Sequence, residues 1–147
     1  MENFFYRGYI RNFRALCREL GIDLRPDQKE TETEIIREGY KRWGRSLGNH
    51  LCGYFALSLY DEQRRETFCT RDPFGREALY YSVTDDGKFF CSCRLSDILT
   101  AEGVVKELNT DALEPYLEQG YLWGDTTFLR VSKCFCRLII LFGTGKK

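Results

Sequence analysis

The sequence predicts an α+β protein in which antiparallel β-strands are covered by helices. Helical periodicity occupies most of the first fifty residues, strands joined by short turns follow between residues 54 and 94, and helical patterns return after residue 95. Consecutive strands joined by tight turns pair antiparallel, and helices that flank such a run pack onto the sheet. The three prolines and thirteen glycines are scattered and mark no linker, so the length fits one domain.

The first elements are a strand and a short amphipathic helix. Residues 3–6 carry three aromatic side chains and fit the end of a strand. Apolar residues then recur at the i, i+3, i+4, i+7 spacing of a helix face, namely Phe13, Leu16, Cys17 and Leu20. Gly21 follows directly and is a typical helix stop.

A second helix is predicted from Thr31 to about Trp43. Thr31 and Glu34 have the spacing of a capping box, just before two isoleucines. Gly44 closes this helix, and Leu47 indicates a further helical turn.

Strands and tight turns dominate the middle of the chain. The run 54–60 is almost continuously apolar, which fits a strand covered on both faces. Asp72-Pro73-Phe74-Gly75 has the residue order of a β-turn. Further strands are expected at 66–71, 79–84 and 88–94. A short helix over residues 95–101, with Ser96 as its N-cap, and a last helix from Asn109 or Thr110 to Gly120 are expected to follow.

Composition excludes several classes of function. The 22 basic and 22 acidic residues give zero formal charge, which argues against a nucleic-acid or polybasic membrane-surface protein. No apolar run reaches the roughly 18 residues that would span a bilayer. The start lacks the pattern of a secretory signal, so we expect a cytoplasmic protein whose seven cysteines are reduced.

Five segments resemble one known family. Residues 71–81, RDPFGREALYY, are similar to the RDRFGIKPLYY motif of class II glutamine amidotransferase domains, especially those of glutamine-hydrolysing asparagine synthases. Residues 8–16 resemble NGEIYNYREL, and residues 31–34 resemble SDTE. Residues 53–57 resemble GMFAF, and residues 108–121 resemble LDPEALAEYLAFGY. The segments follow the family's order, so we expect a glutamine amidotransferase-like domain over residues 1–130 and a divergent tail over 131–147.

The resemblance implies a fold and a chemistry. The family has an N-terminal-nucleophile hydrolase fold, in which two antiparallel sheets are sandwiched by helix layers. A terminal cysteine attacks glutamine's side-chain amide, and its own α-amine acts as the base. The released ammonia passes to a synthetase domain that uses ATP and Mg²⁺ to amidate aspartate.

The chain departs from that chemistry at its start. It begins Met1-Glu2, and the first cysteine, Cys17, lies in a predicted helix without a free α-amine. We therefore expect an N-terminally truncated domain with a partial fold, no catalytic residue and no activity of its own. ATP and Mg²⁺ would belong only to a synthetase domain outside this chain.

Four residues correspond to the family's glutamine pocket. Gly8 is kept, whereas Arg7 stands where the family has the asparagine that supports the oxyanion. Tyr9 replaces a glutamate, and Glu32 replaces the aspartate that pairs with the substrate ammonium. We expect these changes to weaken or abolish glutamine binding. Without the resemblance, Glu32 is simply a carboxylate in the first turn of a helix, where the dipole favours it.

Other features leave alternatives open. Cys91 and Cys93 share one strand face and, with the pair Cys134 and Cys136, suggest a thiol-based metal or redox module; two small apolar side chains per strand is the simpler interpretation, and no metal site is expected. His50 has no ligand partners at a suitable spacing. Open sheet edges favour a non-catalytic module that pairs with another chain or with its own copy. The apolar stretch 138–142 is interpreted as a junction or the product of a shifted reading frame.

Overall fold

The computed structural model describes residues 4–124, 126–130, 133–134 and 140–143 of the 147-residue chain. It is an α+β structure with antiparallel sheets and helices, as predicted. The strands are β1 (Phe4–Ile10), β2 (Gly53–Asp61), β3 (Glu66–Arg71), β4 (Tyr80–Val83), β5 (Phe89–Ser92), β6 (Lys133–Cys134) and β7 (Ile140–Gly143). The helices are α1 (Phe13–Leu20), α2 (Gln28–Trp43), α3 (Leu47–His50), α4 (Leu95–Thr100) and α5 (Leu113–Gln119), with short 3₁₀ turns at Gly44–Ser46 and Thr110–Ala112.

The described strands form two sheets. Sheet A has the order β1-β2-β3-β7, and sheet B has the order β5-β4-β6; every pairing is antiparallel. Strand β1 therefore lies at one edge of sheet A, and β5 lies at one edge of sheet B. The pairing of β7 with β3 shows that residues 140–143 of the tail belong to sheet A.

The core has two parts because the strands of sheet A bury both faces. Side chains that alternate along a strand point to opposite faces. Phe55, Leu57 and Phe68 pack with residues of α1 and α2 in the larger cluster. Ala56 and Cys69 pack with Leu79 and side chains of sheet B in the smaller cluster. The prediction that strand 54–60 is covered on both faces is confirmed.

Helices cover the sheets on both sides. Leu16 and Cys17 of α1 and Ile35 and Ile36 of α2 are buried on sheet A. Helix α4 lies against β4 and β5, with Ile98 only 1% exposed. The order of layers is thus helices, sheet A, sheet B, helix, and it places the edge strands β1 and β5 beside a common groove.

One predicted helix start and one predicted helix cap are wrong. Helix α2 begins at Gln28, because the Asp27 side chain accepts a hydrogen bond from the Lys29 amide and caps the helix. The Thr31 hydroxyl instead lies within hydrogen-bond distance of the Arg25 amide and the Asp27 carbonyl. Helix α4 begins at Leu95, as predicted, but its N-cap residue is Arg94 and not Ser96. Glu32 consequently lies in the second turn of α2, away from the first-turn position that the sequence suggested.

The predicted turn at Asp72 is confirmed and is unusually well braced. The Gly75 amide donates to the Asp72 carbonyl at 3.1 Å. The buried Asp72 carboxylate accepts hydrogen bonds from the amides of Phe55, Phe74, Arg76 and Glu77. One side chain thus fixes the turn between β3 and β4 against β2.

Gly8 is required by its backbone and by its neighbours. Its φ is +121°, and a Cβ atom there would lie 2.1 Å from the Tyr54 carbonyl oxygen of β2. An L-residue side chain is disfavoured at this φ and has no space. Gly8 therefore lets β1 stay in register with β2.

Gly8→Ala should destabilise the protein by about 3 kcal/mol or more, since it adds a steric clash to the cost of positive φ. Gly21→Ala is the matched control, because Gly21 also has positive φ (+70°) but has nothing within 4 Å of its Cβ position; it should cost about 1 kcal/mol. Urea unfolding of both variants measures the difference. Equal losses of stability would show that Gly8 is needed only for its φ.

Candidate functional site

Glu32 is a fully buried carboxylate that ties α2 to β1. Its side chain is 0% exposed. Oε1 accepts hydrogen bonds from the Ile10 amide and the Gln28 side-chain amide, both at 2.9 Å. Oε2 accepts the Tyr6 hydroxyl at 2.7 Å. Burying a carboxylate is costly unless such donors replace water, so these three bonds keep the group in place.

Lys29 supplies the positive charge that faces this carboxylate. Its Nζ lies 3.4 Å from Glu32 Oε2, donates to the Gly8 carbonyl and lies 4.3 Å from the centre of the Tyr6 ring. A carboxylate, a carbonyl and an aromatic face are three groups that attract an ammonium ion. We call Gly8, Glu32 and Tyr6 the ammonium cradle, and in this structure the Lys29 ammonium occupies it.

The cradle brings together two of the four residues predicted from the sequence. Gly8 and Glu32 meet through their shared contact with Lys29. The sequence alone does not single out Tyr6 and Lys29, although the position of each carries a signal. Tyr6 lies two residues before Gly8 on the same face of β1, and Lys29 lies three residues before Glu32 on the same side of α2.

Burial and the hydrogen bond to Glu32 change the acid–base behaviour of Tyr6. Loss of solvent is the larger cause, and it raises the pKa of the phenol above its usual range; the hydrogen bond to the Glu32 carboxylate raises it further. The hydroxyl is therefore protonated at neutral pH and acts as a hydrogen-bond donor to Glu32.

Arg7 and Tyr9 lie on the opposite face of β1, towards sheet B. Arg7 Nε forms an ion pair with Glu77 Oε2 at 3.0 Å, and its Nη1 is 3.8 Å from Cys93 Sγ. Tyr9 is 36% exposed and stacks on Tyr54, with 6.0 Å between ring centres. The structure thus separates these two residues from the carboxylate of Glu32.

A groove runs beside Arg7 where the two sheet edges face each other. The cavity has a volume of about 530 Å³ and lies between β1 on one side and β5 with α4 on the other. Arg94 and Asp97 add an ion pair at 3.1 Å to its wall. The Asp72 turn contributes to this side of the site because it positions Glu77, the partner of Arg7.

A larger concavity of about 1360 Å³ lies at the C-terminal end of α2. Its cations already have partners: Arg45 pairs with Glu66, Arg64 with Asp61, and Arg37 lies over the Phe4 ring. None of the four predicted site residues lines it. We therefore do not assign function to it.

The cysteine pair 91/93 does not act as a unit. Cys91 Sγ is 3.8 Å from Cys69 Sγ, whereas Cys93 Sγ contacts Arg7. Among the described residues, no group of three or more His, Cys, Asp or Glu side chains is arranged to hold a metal ion. Cys136 and the side chain of Cys134 lie outside the described part of the chain. His50 stacks on Trp43 at 4.1 Å between ring centres.

Glu32→Ala should reduce the free energy of unfolding by about 2–4 kcal/mol, because it leaves the Ile10 amide and the Tyr6 hydroxyl without their acceptor. Glu34→Ala, in the same helix, is the control. Its carboxylate is partly exposed and pairs with the half-exposed Arg25, so its loss should cost no more than about 1 kcal/mol. Chemical unfolding at neutral pH compares the two, and similar losses would contradict a structural role for Glu32.

A family model and individual relatives all point to the same protein family. The model of the family described as "Glutamine amidotransferase domain" matches residues 2–139. The provisionally named asparagine synthetase (glutamine-hydrolyzing) of Mycobacterium tuberculosis is 34% identical over 144 residues, covering 90% of this chain and 22% of that protein. Asparagine synthetase (glutamine-hydrolyzing) of Gallus gallus is 32% identical over 114 residues, covering 77% of this chain and 19% of that protein.

A second bacterial relative has the same description. Asparagine synthetase (glutamine-hydrolyzing) 1 of Bacillus subtilis is 28% identical over 112 residues, covering 76% of this chain and 17% of that protein. The chain thus spans about a fifth of the length of these relatives. In the part of the chain that the structure describes, no helix is both long enough and apolar enough to cross a bilayer. The match over residues 2–139 shows that this chain belongs to the glutamine amidotransferase domain family.

Proposed function

We propose that this chain is a glutamine-binding domain of the asparagine synthase type that does not hydrolyse glutamine by itself. Membership of the amidotransferase family supports the ligand class, and the relatives' names include glutamine hydrolysis. The ammonium cradle of Gly8, Glu32 and Tyr6 carries the proposal, because it offers the contacts that an amino acid's α-ammonium needs.

Lys29 makes glutamine binding weak in this proposal. A ligand ammonium must displace the Lys29 Nζ from Glu32 and from the Gly8 carbonyl before it can enter the cradle. Because Lys29 and Glu32 belong to the same helix, the Lys29 ammonium competes with the ligand ammonium for Glu32 at a high effective concentration. It is also 56% exposed, so its side chain can swing into solvent without disturbing the core.

Arg7 and Tyr9 lie on the sheet-B side of β1, so they would contact the rest of the ligand only where it reaches past the open edge of this strand. Arg7 offers guanidinium donors in place of an amide, and its ion pair with Glu77 restrains their direction. Oxyanion stabilisation depends on donors placed to within a few tenths of an ångström, and one such donor is worth about 3 kcal/mol. A side chain of different length at this position therefore favours binding over turnover.

The described thiols do not provide the expected nucleophile. A cysteine that uses its own α-amine as base must have a free amine, and every cysteine of this chain is internal, so its nitrogen is an amide. Cys17 is buried in α1, and burial raises the pKa of its thiol. Transfer of ammonia to aspartate, with ATP and Mg²⁺, is in this proposal the task of a separate synthetase domain.

Removing the internal competitor tests the cradle. Lys29→Ala should bind L-glutamine about tenfold more tightly than the unaltered chain, since the freed ammonium contacts are worth about 1–2 kcal/mol. Lys41→Ala is the control, because Lys41 lies on the same helix and pairs with Glu38 at the surface. Isothermal titration calorimetry measures the glutamine affinity of the unaltered chain and of both variants. Equal affinities would show that Lys29 does not compete for the site.

The absence of turnover is tested separately. The 147-residue chain, incubated with L-glutamine, should release no ammonia above a buffer blank, measured by an enzyme-coupled ammonia assay. Glutamine binding without ammonia release agrees with the proposal. Ammonia release by the unaltered chain above the blank would contradict it, whether or not Cys91→Ser and Cys93→Ser substitutions abolish that release.

A second function is favoured by the open edge of sheet A. Among the described residues, β1 pairs with β2 on one side and with no strand on the other. An unpaired edge is a template for strand addition, so a non-catalytic module that completes its sheet with a partner chain or a second copy is the alternative. A concentration-dependent dimer in sedimentation velocity, without glutamine binding, would favour it.

A further inference from the structure

Two thiols from different sheets meet in the smaller core. Cys69 lies in β3 of sheet A and Cys91 in β5 of sheet B, and their Sγ atoms are 3.8 Å apart. Ser58, directly opposite Cys69 in the β2–β3 register, has its Oγ 3.1 Å from Cys91 Sγ and 3.5 Å from Cys69 Sγ. Residues of three strands, β2, β3 and β5, therefore bring together two sulfur atoms that belong to separate segments of the sequence.

A metal does not explain this pair. Structural zinc sites use four ligands, and catalytic sites use three protein ligands. The described residues around Cys69 and Cys91 supply no third thiol, imidazole or carboxylate to such a site. The pair is therefore better suited to chemistry that needs two sulfur atoms only.

We propose that Cys69 and Cys91 are a modification site that forms a disulfide bond between the two sheets on reaction with a small-molecule disulfide such as oxidised glutathione. The sulfur atoms must approach from 3.8 Å to about 2.05 Å. Side-chain rotation and a small approach of β3 and β5 can supply this change. Disulfides that join two packed sheets are established in β-sandwich domains.

The surroundings decide which thiol reacts first. Cys69 is 1% exposed, whereas Cys91 is half-buried and lines the groove beside Arg7. Hydrogen bonds with Cys69 and with Ser58 lower the pKa of Cys91, while the hydrogen bond to Cys91 and burial raise the pKa of Cys69. Cys91 is therefore the attacking thiol and Cys69 the resolving thiol, since the thiolate is the reactive form.

The exchange balances in two steps. Cys91 loses its proton to solvent, and its thiolate attacks one sulfur of oxidised glutathione; the S–S bond breaks and one glutathione thiolate leaves with the electron pair and takes up a proton. Cys69 then gives up its proton and attacks Cys91 Sγ of the mixed disulfide, which expels the second glutathione thiol. Two protein thiols are oxidised, and one glutathione disulfide is reduced to two thiols.

The crosslink would fix the spacing of the two sheets. Cys91 directly precedes the segment 92–94 that lines the groove, and Cys69 lies in the strand that leads to the Asp72 turn. The disulfide would close the loop between Cys69 and Cys91, which are 22 residues apart. Closing such a loop should raise the melting temperature of the protein by roughly 5–10 °C. The groove next to Arg7 would then have a more rigid wall.

Peptide mapping of the full chain tests the proposal. After incubation with oxidised glutathione and alkylation of the remaining thiols, a non-reducing digest should contain the Cys69 peptide joined to the Cys91 peptide. Exposed Cys52 serves as an internal control, because it should carry glutathione and so prove that the reagent is active. Cys52→Ser should still form the crosslink.

Single substitutions distinguish the attacking thiol, Cys91, from the resolving thiol, Cys69. In Cys69→Ser, glutathione should remain attached to Cys91, since no resolving thiol is present; in Cys91→Ser, Cys69 should stay unmodified. If either variant fails to fold, the digest of the unaltered chain and its melting temperature still decide the question. A digest in which Cys91 pairs with Cys93, or in which both thiols stay free while Cys52 reacts, would overturn the proposal.

Discussion

A single buried carboxylate determines how the helix layer meets the sheet. Glu32 has no contact with solvent, yet it keeps acceptor bonds from a strand amide, a phenol and a side-chain amide. A carboxylate without such partners would cost several kcal/mol in this environment. Helix α2 can therefore pack in only one position along β1, and that position brings Lys29 to the Gly8 carbonyl.

The two faces of β1 have different roles as a result. On the helix side, Tyr6, Gly8 and the buried Glu32 surround the ammonium group of Lys29. On the sheet-B side, Arg7 pairs with Glu77, whose position depends on the Asp72 turn. A ligand that used both faces would have to reach past the open edge of sheet A, which is where the groove lies.

Much of the fold can be predicted from local sequence patterns, whereas the contacts that form the site cannot. The Asp72 turn, the Gly21 and Gly44 helix ends and the doubly covered strand β2 depend on neighbouring residues, and the sequence predicts each of them. The capping-box spacing places the start of α2 at Thr31, whereas the Asp27 side chain caps the helix earlier in the chain and leaves Thr31 inside it. The pairing of Cys69 with Cys91 and the ion pair between Arg7 and Glu77 join distant segments, and spacing alone does not reveal such contacts.

Lys29 occupies a site that is suited to an ammonium group. NMR of ¹⁵N-labelled lysine side chains during a titration with L-glutamine follows this ammonium group itself, with Lys41 as the reference on the same helix. We expect the Lys29 Nζ signal to move towards that of a solvent-exposed lysine as glutamine binds, while the Lys41 signal stays in place. Saturable glutamine binding that leaves the Lys29 signal unchanged would show that the ligand ammonium does not take the place of Lys29.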